Sequence, residues 1–186
     1  QYLAELEAMP EKQKRRFLEG RYVAEIDGAL WTMQMFEDGR KGPEDKLPRM
    51  QRVVVAVDPS GAAGPEDYRS DEIGIVVAGL GVDNRGYVLG DYSARMSPEQ
   101  WGRKAVQAAR DHSADAIVGE DNFGGDMVRS VIETAAKSGM FARYKSVKAT
   151  RGKVVRAEPV AGLYERGLVS HVGTFPAMED QLTNFS

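Results

Sequence analysis

The chain has no cysteine and only two histidines, His112 and His171, in 186 residues. Disulfides, thiolate nucleophiles and cysteine-ligated zinc are thereby excluded, and a histidine-rich metal site is not expected either. Any metal must be held mainly by oxygen ligands, which favours a hard divalent cation, Mg²⁺ or Mn²⁺. No apolar run approaches the roughly 18 residues of a membrane helix, and the first residues lack the pattern of a signal peptide, so no membrane partner is expected. Gly-Lys-Ser/Thr is missing too: Gly152-Lys153 is followed by Val154, so no P-loop and no ATP site of that type are expected. What remains is a globular composition, 42% apolar and 28% charged, in a chain of about one to one-and-a-half domains.

The net charge of −3 argues against a protein that coats nucleic acid indiscriminately. It leaves room for a local basic face. From Phe141 to Glu158 there are six basic residues (Arg143, Lys145, Lys148, Arg151, Lys153, Arg156) and one acid, Glu158, a balance of +5. A solvated surface and a phosphate-binding track are equally compatible with that run.

Two textures divide the chain. Residues 1 to 50 mix short helical patterns (Leu3, Leu6, Met9, then Pro10 to Leu18) with an apolar stretch, Gly28 to Phe36, and a Gly/Pro-punctuated run from Glu37 to Arg49. They are too short to form a domain and are expected to act as a connector leaning on residues 51–186. From Val53 to Val57 a β-branched run predicts a central strand buried on both faces. Strands are expected at Ile73–Gly81 and Tyr87–Tyr92, joined by the turn Asp83-Asn-Arg-Gly86. Ser97-Pro-Glu-Gln100 predicts a capped helix running to about His112. Beyond it the pattern predicts a short strand, Ala116 to Gly119, a helix from Asp126 to Lys137 capped by Asp126, and a strand near Arg143 to Ala149. Three meandering strands, then alternating helices and strands, is the order of the ribonuclease H fold: α/β, with a mixed central sheet, an antiparallel hairpin edge and flanking helices.

In that order Asp58 and Glu120 stand out, because each directly succeeds a strand and would sit at the sheet's carboxyl edge. If the two strands are neighbours, the carboxylates meet and, with a third acid, can bridge two divalent ions about 4 Å apart. Each has a plainer reading: Asp58 as the cap of its own turn before Pro59, Glu120 as an acid facing the next helix's dipole. Asp71, just before the second strand, is a weaker third candidate. His171 is read as a core or surface residue rather than a phosphate contact.

These residues also carry a resemblance. Val53-Val-Val-Ala-Val-Asp-Pro-Ser60 with Ser70-Asp-Glu-Ile-Gly-Ile-Val-Val-Ala-Gly79 resembles the first hairpin of the nuclease domain of tailed-phage large terminase subunits. Val118-Gly-Glu-Asp-Asn-Phe-Gly-Gly-Asp-Met-Val128 is similar to that family's second acidic motif. Lys148 to Val160, Leu163-Tyr-Glu165 and Met178 to Leu182 resemble the family's later segments, and Phe17 to Gly20 with Ala29 to Thr32 resembles the connector from its ATPase domain. The resemblance implies a two-metal DNA endonuclease that cuts double-stranded concatemers during genome packaging in the infected host's cytoplasm. It maps the first two metal acids onto Asp58 and Glu120, and a basic DNA-path segment onto Lys145, Lys148, Arg151, Lys153 and Arg156. It implies as partners double-stranded DNA, the ATPase domain of the same subunit, the small terminase subunit and the portal. The family's third acid is expected beyond Ser186, so activity is expected to depend on residues downstream of it. A resolvase-type or ribonuclease H-type enzyme, and a DNA-binding or docking module with an incomplete site, are the competing readings.

Overall fold

The computed structural model describes residues 28–58, 72–120, 125–136 and 143–185. Its strands are β1 (Met50–Asp58), β2 (Gly74–Gly81), β3 (Gly86–Asp91), β4 (Ala116–Glu120), β5 (Tyr144–Val147) and β6 (Val169–His171). They form one sheet in the order β5-β4-β1-β2-β3-β6. β1, β2 and β3 form the antiparallel meander, and the parallel pairs β1·β4, β4·β5 and β3·β6 extend it on either side. The helices are α1 (Met33–Gly39), α2 (Pro98–Asp111), α3 (Gly125–Ala136), α4 (Lys153–Glu165) and α5 (Pro176–Thr183).

α2 begins where its sequence says it should. The Ser97 hydroxyl accepts from the Gln100 backbone N–H, the Gln100 side chain accepts from the Ser97 N–H at 2.9 Å, and Pro98 fills the first turn. Such a cap contributes about 1 kcal/mol. The helix buries Trp101, Ala105 and Val106 against Val53, Val55, Val57, Ile75, Val77 and Ile117, while α3 adds Val128 and Ile132 to the same core. Each of the large apolar side chains stabilises the fold by roughly 1.5–3 kcal/mol. Gly102 lets α2 and α3 touch: a Cβ there would stand 2.6 Å from Val131 Cγ1.

Among the described residues, the other sheet face is covered chiefly at one end. There α1, α4 and α5 bury Trp31, Phe36, Ala161 and Tyr164 over Val88 and Val169. Gly39 lies so close to β6 that a Cβ would meet the Val169 carbonyl oxygen at 2.7 Å. Over β1 and β5 this face opens: Val54 is half-buried, and Ala56 and Val147 are exposed. β1 is therefore buried on one face rather than two. Its neighbours on both sides make it central, and a β-branched run cannot distinguish central position from two-sided burial.

Other differences are local. Asp126 lies within the first turn of α3 and is not its cap. The fifth strand is shorter than expected. Helices α4 and α5 have no counterpart among the predicted elements, because Pro159 and Gly162 inside α4 read as breakers. The expected elements before residue 28 lie outside the described residues.

Candidate metal centre

The parallel register pairs Val57 with Gly119, so the next residues, Asp58 and Glu120, stand side by side at the carboxyl ends of β1 and β4. Side chains alternate along a strand. Since Val55, Val57 and Ile117 point into the core beneath α2 and α3, Asp58 and Glu120 emerge on the opposite, open face. Asp58 is 55% exposed and Glu120 31% exposed at the side chain. Asp71, the weaker third candidate, lies outside the described residues.

Two of the five residues expected along a DNA path face these acids. Lys153 Nζ lies 4.0 Å from Asp58 Oδ2, and Arg156 Nη1 donates to Glu120 Oε2 at 3.2 Å. Both belong to the first turn of α4, three residues apart and so on one helix face. Arg156 Nε also donates to the Arg151 carbonyl at 3.0 Å, which ties the helix start to the preceding loop. Lys145, Lys148 and Arg151 are exposed on the same stretch.

The donor chemistry suits a hard divalent ion. Mg²⁺ keeps several waters and is bound through one or two carboxylates plus substrate phosphates, which is what two adjacent carboxylates on an open edge provide. Among the described residues no group of three or more His, Asp or Glu is arranged around one point.

A second charged cluster was not foreseen. Arg40, just after α1, donates from Nη1 to Glu179 Oε1 at 2.9 Å and from Nη2 to Glu179 Oε2 at 3.2 Å. His171 Nδ1 lies 2.8 Å from the same Oε1, and an ionised carboxylate can only accept, so Nδ1 carries the proton. The Tyr164 hydroxyl lies 2.9 Å from His171 Nε2, and Phe36 stacks on the imidazole at 4.8 Å. Burial pushes the Glu179 pKa up, but hydrogen bonds from His171 and Arg40, with their charge, outweigh it and hold the group at about 2. Burial, reinforced by the Glu179 charge, raises the Tyr164 pKa. Of the two plain readings of His171, core or surface, the structure shows the core one. Arg40 gave no signal, since a lone arginine in a Gly/Pro-rich run looks like solvated loop.

Strand order and crossovers define the ribonuclease H-like class of α/β proteins. Within it, the chain belongs to the family described as the Terminase RNaseH-like domain, which it matches over residues 55–186. Among solved structures it is similar to the nuclease domain of the large terminase subunit of bacterial virus Sf6, at 18% identity over 84% of this chain and 80% of that one, with a TM-score of 0.55. The large terminase nuclease from thermophilic phage G20c aligns at 14% identity over 84% and 80%, TM-score 0.53. A large terminase from another thermophilic bacteriophage aligns at 12% identity over 95% of this chain and 45% of that chain, TM-score 0.55. At such identities the likeness establishes the fold. No curated protein matches the chain.

Proposed function

We propose that this domain is a divalent-metal-dependent DNA endonuclease that cuts double-stranded concatemers during phage genome packaging. The observation that carries the reading is the pairing of Asp58 and Glu120 on neighbouring parallel strand ends, facing solvent on one side of the sheet. Asp58 and Glu120 would hold Mg²⁺ or Mn²⁺, and Asp71 is retained as a further candidate. An Sf6 nuclease-domain structure containing manganese supports a divalent ion. Ions bound there supply activation of water and stabilisation of the charge that develops on the phosphate. The chain's own cations, Lys145, Lys148 and Arg151, would neutralise backbone phosphates, with Lys153 and Arg156 beside the acids. Such contacts position DNA without reading its bases.

By the same reading residues 1–50 connect to the ATPase domain of a large terminase subunit, and residues 51–186 are the nuclease. The described part of the connector is docked through Trp31, Phe36 and Arg40. The small subunit and portal would be assembly partners, and the host cytoplasm the site of action. No helix of the described residues is long and apolar enough to cross a membrane.

The test is nicking of supercoiled plasmid with Mn²⁺ by the unaltered chain and by Asp58→Ala. Loss of nicking in the variant is expected, and equal nicking by both would sink the assignment.

A further inference from the structure

The pairing of Lys153 with Asp58 and of Arg156 with Glu120 conflicts with a simple division of labour. A guanidinium donating to a carboxylate oxygen takes up space and one of the lone pairs that the carboxylate can offer a metal. The N–H that Arg156 Nη1 donates to Glu120 is, while that bond lasts, withheld from a phosphate. Both pairs are reached from a single helical turn, Lys153 to Arg156, so one element approaches both acids at once. All four groups are substantially solvent-exposed, at 65% for Lys153, 55% for Asp58, 40% for Arg156 and 31% for Glu120. Exposed pairs of this kind are weak and exchangeable.

We infer that the first turn of α4 is a built-in counter-ion gate: Lys153 and Arg156 neutralise Asp58 and Glu120 in the metal-free domain and compete with divalent cations for them. The inference rests on the reading of Asp58 and Glu120 as metal ligands and adds how that site is regulated. In the closed state the acids are held by protein cations. In the armed state divalent ions take the acids, and the two cations are released on the same edge as Lys148 and Arg151, where a phosphate backbone would lie. The gate lowers metal affinity at the acids and keeps like charges from repelling one another when no metal is present. It also assigns the two residues a role distinct from that of Lys145, Lys148 and Arg151, which pair with no carboxylate among the described residues.

The experiment is Mn²⁺ binding, followed by the loss of the free-ion electron paramagnetic resonance signal, so the readout does not depend on cleavage. Arg156→Gln, Lys153→Gln and the double variant are compared with the unaltered chain. Arg166→Gln removes one charge at the far end of α4 and controls for general field effects. Circular dichroism melting verifies that each variant is folded. Competition from exposed pairs predicts Mn²⁺ binding tighter by about two- to fivefold on removing one cation and about tenfold on removing both. Arg156→Gln should exceed Lys153→Gln, as its pair is the closer, and Arg166→Gln should do less than either. Unchanged or weaker Mn²⁺ binding in the double variant would overturn the gate, as would an equal gain in Arg166→Gln. Asp58→Ala separates the gate from the metal site beneath it. If it abolishes Mn²⁺ binding while the double variant gains nothing, the metal site stands and the gate falls. If binding is indifferent to Asp58, the metal reading falls and takes the gate with it.

Discussion

Glu179 and Asp58 are both carboxylates facing cations, yet their surroundings have little in common. Glu179 is 2% exposed and accepts from Arg40, His171 and the Phe175 backbone N–H. Asp58 is 55% exposed and faces Lys153 at 4.0 Å. A buried carboxylate must have its lone pairs satisfied by the protein, because water cannot do it, and every partner is then fixed in place. An exposed one is continually offered water, so its protein partner contributes little and can be exchanged. The first arrangement joins elements far apart in sequence, here the loop after α1, β6 and α5. The second leaves a carboxylate exposed at a strand end. Burial, more than residue type, separates the structural acid from the candidate metal ligand.

The contrast is tested most severely by removing each carboxylate and reading both activity and stability. Asp58→Ala is expected to lower metal-dependent nicking by at least about a thousandfold while shifting stability by no more than about 0.5 kcal/mol. Initial nicking rates and a thermal melt check the two halves. A variant that nicks normally, or one that melts far below the unaltered chain, would erase the distinction. Glu179→Ala should do the reverse. It strands Arg40 and His171 in a partly dry pocket, for a loss of roughly 3–5 kcal/mol. At about 2–4 °C per kcal/mol for a chain of this size, the melting point should fall by on the order of 10 °C. Nicking per folded molecule should persist below that temperature. A melt within a degree or two of the unaltered protein would show that the buried cluster contributes little.

The same divide between local and distant partners decided how much was readable in the sequence. Periodicity and capping are local, so the three-strand meander, α2 with its Ser97–Gln100 box and the strand ending at Glu120 were all legible. Asp58 and Glu120 could be singled out because a carboxylate directly after an apolar strand is visible without knowing the neighbours. Their adjacency came from strand order. The Arg40–Glu179 link spans 139 residues and joins segments with no pattern in common, and so was not legible. α4 was missed because Pro159 sits in its interior, and with it went the geometry that turns Lys153 and Arg156 toward the acids. The two-sided burial expected of β1 failed for a related reason: a run of valines says nothing about whether any element covers the far face.

The two clusters should also part company in acid. Glu179 is held at about 2 against an ordinary value of 4.5. A depressed carboxylate stabilises the fold above the unfolded value and loses that contribution as pH falls from about 4.5 through about 2. The gap corresponds to roughly 3 kcal/mol at most. Urea midpoints measured from about pH 5 down to about pH 2 should therefore fall steeply for the unaltered chain and less steeply for Glu179→Gln. Parallel curves would mean that the acid lability arises elsewhere, and the buried cluster would lose its special standing.

The smallest effect concerns the cations on the open side. Lys148 and Arg151 are exposed and lie just before α4. If they contact phosphates, each contributes close to one unit to the slope of log affinity against log salt. Lys148→Ala with Arg151→Ala should then lower that slope by roughly 2, equally for unrelated duplex sequences, because phosphate contacts carry no base information. The melting point should hardly move, since neither side chain is buried. Fluorescence anisotropy with short duplexes across a salt series reads the slope directly. A slope that stays constant would place the DNA on another surface. A loss confined to one sequence would instead mean that these side chains reach base edges. Either result would separate the basic loop from the acid pair, whereas the expected one makes them successive parts of a single edge of the sheet, one for phosphate and one for metal.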